Sequence, residues 1–236
     1  MKTILSCLAV FAAAYFVGGI NPAYIISKRF GFDIRKTGTG NAGASNAVLS
    51  FGKRAGALIA LADIMKAFLI IKLSGLVFPA VRISKELAGT GCIVGHIFPA
   101  QLRFKGGKGL SCLGGVILAF SPKCFLIMLL AEIVLALIAG YSSVIPITAA
   151  IVFPAVYMGS GGCWTGFALY IGAAAVMELK HIENIRRIRA GTEIRVSYLW
   201  DMEKELLRIQ ENSRKSDMQP AVEEVRTWEN RNEPLS

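Results

Sequence analysis

Residues 124–140 read CFLIMLLAEIVLALIAG, an apolar stretch of 17 residues in which Glu132 is the one charged side chain. A helix of this composition has no polar face for water, so it is typical of the hydrocarbon core of a bilayer. Similar blocks recur along the chain, where 54% of the residues are apolar and 18% are charged. The sequence therefore predicts an integral membrane protein.

Seven apolar segments, each ended by glycine, proline or charged residues, predict an all-α, polytopic fold of about seven transmembrane helices. The third and fourth are shorter than the roughly 20 residues of a perpendicular crossing, so they are either short helices or a partly re-entrant pair. The first is long enough to favour a retained helix over a cleaved signal peptide. The segments are 3–27, 55–74, 86–99, 109–121, 124–140, 142–159 and 163–179.

The charge of the chain is concentrated in its membrane half. Residues 1–180 hold 16 of the 26 Lys and Arg but only 5 of the 16 Asp and Glu. Cations beside apolar spans favour anionic lipid or an anionic substrate, rather than nucleic acid, as the partner. Seven spans with the N-terminus outside place most of these cations, and the C-terminus, in the cytoplasm, as the positive-inside rule requires.

Composition divides the chain into a membrane domain, 1–195, and a charged cytoplasmic tail, 196–236. Four apolar tail residues recur at helical spacing, which predicts a short amphipathic helix on the headgroups before a disordered end. A solubilising tail without a further role is the alternative. The four residues are Leu199, Met202, Leu206 and Ile209.

The five cysteines are widely spaced and form no CxxC pair, so they predict small apolar interior residues rather than a disulfide or metal framework. We expect no metal and no cofactor.

A first glycine-rich loop, GTGNAGASN, occupies residues 38–46. Its glycines allow the backbone to approach a ligand, and its polar side chains supply hydrogen-bonding groups. The loop predicts a cradle for an anion or a sugar alcohol, with an ordinary polar turn as the alternative. The polar side chains are Thr39, Asn41, Ser45 and Asn46.

A second glycine-rich segment reads GHIFP at 95–99 and FKGGKGLS at 104–111, directly before the fourth span. Backbone amides of a glycine loop at a helix N-terminus, flanked by Lys105 and Lys108, predict a phosphate site. The pattern Gly-x-x-x-x-Gly-Lys-[Ser/Thr] is absent, so nucleotide binding is not implied.

A third polar segment, HIENIRR at 181–187 followed by GTE at 191–193, lies at the end of the last span. In a helix, His181 and Asn184 share one face because they are three residues apart. Taken alone, the arginines also fit a positive-inside anchor.

In this order, the three segments, together with IRK at 34–36, resemble the motifs of the bacterial PlsY family, the acyl-phosphate-dependent glycerol-3-phosphate acyltransferases. The resemblance covers about residues 5–195. It implies a monomeric seven-helix bundle in the bacterial inner membrane, with its site facing the cytoplasm. The implied reaction transfers a fatty acyl group from acyl phosphate to the 1-hydroxyl of sn-glycerol 3-phosphate, giving lysophosphatidic acid and phosphate for phospholipid synthesis.

The resemblance also implies roles for individual residues. Lys108, His181 and Asn184 would be catalytic. The His-x-x-x-x-Asp pair of another acyltransferase group is absent. The resemblance implies that the substrate's own phosphate takes the proton. The implied substrate-binding residues are Thr39, Asn41, Ser45, Asn46, His96, Lys105, Gly106, Gly107, Gly109 and Ser111.

The chain departs from the family pattern at three positions. Leu49 stands where the family has an arginine that grips the glycerol phosphate, Thr39 replaces a serine, and Cys112 replaces a threonine. Loss of a charged phosphate contact costs about 1.5–3 kcal/mol. Two alternatives therefore stay open: a non-enzymatic relative that binds or moves an anionic lipid or phosphate, and an acyltransferase with another acceptor.

Overall fold

A computed structural model describes residues 2–201 and 203–214. These residues contain no named strand, and their one extended contact is an isolated bridge between Tyr141 and Arg195. Short 3₁₀ helices cover Ile34–Lys36, Ala100–Leu102 and Val196–Leu199, and residues 203–214 are helical. The longer helices are α1 (Lys2–Gly18), α2 (Pro22–Arg29), α3 (Ala44–Phe51), α4 (Lys53–Val77), α5 (Ser84–Ile97), α6 (Leu110–Phe120), α7 (Pro122–Ala139), α8 (Val144–Gly159) and α9 (Trp164–Arg189).

Each predicted apolar segment coincides with helix, but the first is divided into α1 and α2. Asn21 caps α2 by accepting a hydrogen bond from the Tyr24 amide (2.8 Å), and its side chain donates to the carbonyl of Ala42 (2.7 Å). Pro22 follows at the first helical position, where its missing N–H costs nothing. A polar cap and a proline therefore interrupt a segment that is apolar enough to continue.

Helix lengths and composition differ along the chain. Among the described residues, two stretches are long and apolar enough to cross a bilayer: Thr3–Arg29, which includes the break between α1 and α2, and Pro122–Ala139. Leu110–Phe120 and Val144–Gly159 are shorter apolar helices. As expected from the short third and fourth segments, α5 has 14 residues and α6 has 11. The predicted tail contributes the helical residues 203–214, while Met202 and the predicted disordered end lie outside the described residues.

The crossing of α1 and α5 depends on small residues. A β-carbon on Gly95 would collide with the carbonyl of Tyr15, and one on Gly91 would lie 2.7 Å from the carbonyl oxygen of Phe11. Glycines at such positions allow helix backbones to approach closely, as in membrane bundles. The Tyr15 hydroxyl also donates to the carbonyl of Phe98 (2.6 Å). These contacts fix the end of α5, which carries His96.

The buried core lies between α4, α5, α6 and α9, where Ile71, Ile93, Val116 and Met177 are almost fully buried. Large apolar side chains on the outer faces of α4 and α7 are exposed instead. An extensive exposed apolar surface of this kind is typical of contact with lipid rather than water. Exposed examples are Leu58, Leu69, Leu73, Leu126, Ile127, Leu130, Val134 and Ile138.

Candidate active site

A cavity of about 210 Å³ lies where three helices begin. The N-cap residues of α3, α6 and α8 are Gly43, Gly109 and Ser143, and none makes a side-chain capping hydrogen bond. Each N-cap lines the cavity. An uncapped helix N-terminus presents the positive end of the helix dipole and, where its first amides have no backbone partner, free donors. At α8 the first two amides, of Val144 and Ile145, donate to the carbonyls of Tyr141 and Ser142. The dipoles of all three helices nevertheless favour an anionic ligand in the cavity.

The first loop is shaped by a fully buried side chain, that of Asn46. Its amide nitrogen donates to the carbonyls of Ile34, Thr37 and Asn41, each at 2.9 Å, and its oxygen accepts from the Thr39 amide at 2.9 Å. Asn46 therefore holds the loop and does not line the cavity. The other predicted residues of the loop, Thr39, Asn41 and Ser45, line it.

Arg35 joins the first loop to the second. It pairs with Asp33 (2.8 Å), lies over the ring of Tyr24 (4.7 Å to the ring centre) and donates to the carbonyl of Leu102 (2.8 Å). Hydrogen bonds from Arg35 lower the pKa of Asp33 to about 2. The pair is therefore ionised throughout the physiological range.

The second loop uses part of its backbone for its own packing. The amides of Gly106 and Gly107 donate to the carbonyls of Ile97 (3.2 Å) and His96 (3.0 Å). A β-carbon on Gly107 would collide with the His96 ring, so glycine is needed for this approach. These two amides therefore bind the end of α5 rather than a ligand.

The predicted residues of the second loop divide between two cavities. Gly109 and Ser111 line the main cavity, as does His96. Lys105, Gly106 and Gly107 line a neighbouring cavity of about 300 Å³. Thr39, Asn41 and Lys108 line both. Lys108 therefore stands at the boundary between the two spaces.

A buried charged group supports His96. Nζ of Lys66 lies 2.6 Å from Oδ1 of Asp63 and 3.2 Å from Nδ1 of His96, and it donates to the Ile20 carbonyl between α1 and α2 (2.6 Å). Sequence reasoning missed Asp63 and Lys66. Two ionisable residues within an apolar span were the available signal, because charges at such depth are costly unless paired.

Asp63, His96 and Cys112 are the described residues whose donor atoms could hold a metal, since these atoms lie within 4.8 Å of one another. The ammonium group of Lys66 already neutralises the carboxylate of Asp63. The cluster is therefore organised around an internal ion pair.

The predicted residues Lys108 and Asn184 contact each other directly. The Lys108 ammonium donates to the Asn184 side-chain oxygen, and the Asn184 amide donates to Oε1 of Glu193 (2.6 Å). The other oxygen of Glu193 accepts from Nε of Arg187 (2.7 Å). Glu193 and Arg187 were not among the predicted site residues, although both lie in the quoted third segment. Their opposite charges next to polar site residues were the signal.

Burial sets the charge of two site residues. Burial, together with the positive charge of Arg187, lowers the pKa of Lys108 to about 8. Burial likewise lowers the pKa of His181 to about 4. Nδ1 of His181 donates to the Met177 carbonyl (2.7 Å), because a carbonyl only accepts, so Nε2 is left as the acceptor. The cavity thus contains a neutral imidazole beside a titratable ammonium.

Leu49, the position that departs most from the family pattern, lines the cavity. Sequence reasoning did not find six other lining residues, and no motif marks them. One of them, Ser143, has a buried hydroxyl with no hydrogen-bond partner among the described residues. The six are Ala60, Ser142, Ser143, Pro146, Ile194 and Tyr198.

A helical bundle with an apolar surface and an anion-attracting cavity at its helix N-termini defines an integral membrane protein that handles an anionic substrate. The chain belongs to the glycerol-3-phosphate acyltransferase family, whose model matches residues 8–191. The predicted family is thereby confirmed.

Similar proteins agree over most of the chain. The glycerol-3-phosphate acyltransferase of Clostridioides difficile strain 630 is 35% identical over 201 residues, covering 82% of this chain and 97% of the relative. That of Bordetella pertussis is 33% identical over 202 residues, covering 82% and 94%.

Two solved structures of PlsY (YgiH), an integral membrane glycerol 3-phosphate acyltransferase, resemble the fold. The glycerol 3-phosphate form is 31% identical with a TM-score of 0.77, covering 84% of this chain and 99% of that one. The lysophosphatidic acid form is 31% identical with a TM-score of 0.72, covering 80% and 95%. The prediction of a helical membrane protein is confirmed.

Proposed function

We propose that this chain transfers a fatty acyl group from acyl phosphate to the 1-hydroxyl of sn-glycerol 3-phosphate, giving lysophosphatidic acid and phosphate. Family membership makes it an acyltransferase of phospholipid synthesis. The observation that carries the proposal is the meeting of Lys108 with three uncapped helix N-termini in one cavity. That arrangement suits a reaction with two phosphate groups near one acyl carbon.

Acyl phosphate suits the chemistry of the cavity because it is a mixed anhydride with a good leaving group. The glycerol hydroxyl oxygen bonds to the acyl carbon, the bond from that carbon to the phosphate oxygen breaks, and the hydroxyl proton passes to phosphate. Lys108 and the α6 N-terminus would stabilise the charge on the phosphate. Neutral His181 would accept a hydrogen bond from the hydroxyl through Nε2 and orient it for attack.

The acceptor phosphate needs another anchor because Leu49 is uncharged. The N-terminus of α8 supports this role, since its N-cap residue Ser143 has an unpartnered buried hydroxyl on the cavity wall. The guanidinium of Arg187, which also pairs with Glu193, lies on the same cavity. These groups together would bind a phosphate more weakly than a dedicated arginine does.

The transfer assay uses purified protein in lipid vesicles, with acyl phosphate, acyl-CoA and acyl carrier protein compared as donors. Glycerol 3-phosphate is compared with glycerol and with other small phosphates as acceptors. We expect lysophosphatidic acid only from acyl phosphate with glycerol 3-phosphate. Transfer to an uncharged polyol at an equal rate would favour another acceptor, as Leu49 suggests. Binding of acyl phosphate without turnover would favour the non-enzymatic alternative.

We further propose a monomer with seven crossings in the bacterial inner membrane, the N-terminus outside and the cavity in the cytoplasm. The distribution of cations supports this orientation. In a background without native cysteines, Asp201→Cys should be shielded from an impermeant thiol reagent in intact cells, and Arg82→Cys should react. Both sites are exposed side chains. Labelling of Asp201→Cys before permeabilisation would reverse the orientation.

A further inference from the structure

The segment that follows Glu193 lies beyond the family match, which ends at residue 191, yet it forms part of the cavity. Ile194 and Tyr198 line the cavity wall. The Val196 amide donates to the Gly140 carbonyl (2.9 Å), and the Lys53 ammonium donates to the Leu199 carbonyl. We name residues 194–201 and 203–214 the C-terminal strap. The strap is tied to the start of α4 and to the end of α7.

The helical part of the strap forms hydrogen bonds with the loop that carries Glu193. The guanidinium of Arg208 donates to the backbone carbonyl of Glu193 (2.6 Å) and to that of Gly191. The side chain of Asn212 donates to the same Gly191 carbonyl (2.8 Å). Arg208 and Asn212 therefore hold two backbone carbonyls of this loop, those of Gly191 and Glu193.

A buried carboxylate, that of Glu205, connects Arg208 to the backbone of Arg195. Glu205, with 4% of its surface exposed, accepts a hydrogen bond from the Arg195 amide (2.7 Å). The same carboxylate pairs with Arg208, whose Nε lies 3.0 Å from its Oε2. A buried charge is tolerated when it is paired and hydrogen-bonded, as here. The loop backbone is thus held on both sides of Glu193.

Glu193 links this loop to the groups proposed to react. Its carboxylate holds both the Asn184 amide and Arg187, and Asn184 accepts from Lys108. A displacement of about 1 Å in such a chain of contacts can lower a rate by roughly 10²-fold. The orientation of Lys108 therefore depends on where the strap holds the loop.

We propose that Arg208 is a positioning residue for acyl transfer, acting through the 191–193 backbone and Glu193 on Asn184 and Lys108. The inference rests on the proposed function and adds to it a component outside the matched family region. In this chain, residues outside the family match therefore help to position site residues inside it.

The test compares Arg208→Gln, Arg208→Lys and a matched control, Lys204→Gln, whose side chain is exposed on the same helix. Full-length protein in vesicles is assayed for kcat and for both KM values. We expect Arg208→Gln to lower kcat about tenfold or more, Arg208→Lys to recover part of it, and Lys204→Gln to match wild type. Wild-type kcat in Arg208→Gln would overturn the inference.

Two readouts separate positioning from a general loss of structure. Amide hydrogen exchange at 191–195 should quicken in Arg208→Gln while exchange in α5 and α6 stays unchanged. The upper limb of the kcat/KM pH profile should move to lower pH, because Glu193 supports the charged form of Lys108. Faster exchange throughout the bundle, or an unmoved pH limb with slow transfer, would assign Arg208 a merely structural role and reject the proposal.

A milder variant covers the case in which Arg208→Gln does not fold. Asn212→Ala removes one hydrogen bond to the Gly191 carbonyl, so we expect a smaller loss of kcat and faster exchange at the same amides. Unchanged exchange and kcat would count against the strap. Absence of transfer by wild-type protein would reject the proposed function instead, and the exchange comparison would still report whether the strap holds the loop.

Discussion

The two walls of the cavity are built differently. On the wall formed by Lys108, His181 and Asn184, each side chain is held by another polar group. A second part of the wall contains Thr39, in the first loop, and Leu49, in α3, which presents a hydrocarbon surface. We call these the lysine wall and the leucine wall. In the proposed reaction, phosphate charge would therefore be neutralised mainly at the lysine wall and at the helix N-termini.

Lys108→Ala is expected to have the largest effect, because, of the described residues, Lys108 alone brings an ammonium to both cavities. Loss of a group that stabilises charge in a transition state costs roughly 10²–10³ in rate. We expect a fall of that size in kcat/KM for acyl phosphate. Lys108→Arg, which keeps the charge, should lose less. Wild-type rates in folded Lys108→Ala would show that the lysine wall does not carry the reaction.

The pH dependence of kcat/KM gives the next largest effect. The pKa of Lys108 is lowered to about 8, so its charge is present below that pH and is lost as the pH rises through it. We expect kcat/KM to be level near pH 7 and to fall by about tenfold per unit well above pH 8, since this profile reports the free enzyme. Lys108→Arg should remove this limb because arginine stays charged. A level wild-type profile to pH 10 would contradict the assignment.

Leu49→Arg tests the leucine wall directly. A recovered phosphate contact of about 1.4 kcal/mol would lower KM for glycerol 3-phosphate by roughly tenfold. Leu49→Met, which keeps an uncharged side chain of similar size, is the control. If Lys53 or Arg54 already compensates, Leu49→Arg changes little and neutralising one of them raises KM. Lys53 is bound to the Leu199 carbonyl, so Arg54 is the better candidate for that outcome.

Thr39→Ser should have the smallest effect, because it keeps the hydroxyl and the backbone amide that Asn46 accepts from. We expect kcat/KM within about threefold of wild type, a change below roughly 1 kcal/mol. Thr39→Val, which removes the hydroxyl but keeps the shape, should lower activity more than Thr39→Ser does. Equal activity in both would show that the Thr39 hydroxyl makes no substrate contact.

Local patterns allowed the sequence to predict helices, family and motif order. Apolar blocks predict helices because the preference for lipid over water is a property of each segment. The order of the three motifs, at 38–46, 95–111 and 181–193, predicted that they form one site. The predicted roles of Lys108, His181 and Asn184 remain predictions, although all three lie on one cavity.

Tertiary structure alone decided which groups are available to a ligand. It assigned Asn46 and the amides of Gly106 and Gly107 to internal hydrogen bonds, and it brought Arg208 onto the loop of Glu193. Lys108 and Asn184 are 76 positions apart in the chain, and no local periodicity relates them. Segment hydrophobicity is additive along the sequence, whereas a hydrogen bond between distant residues depends on how every helix between them packs.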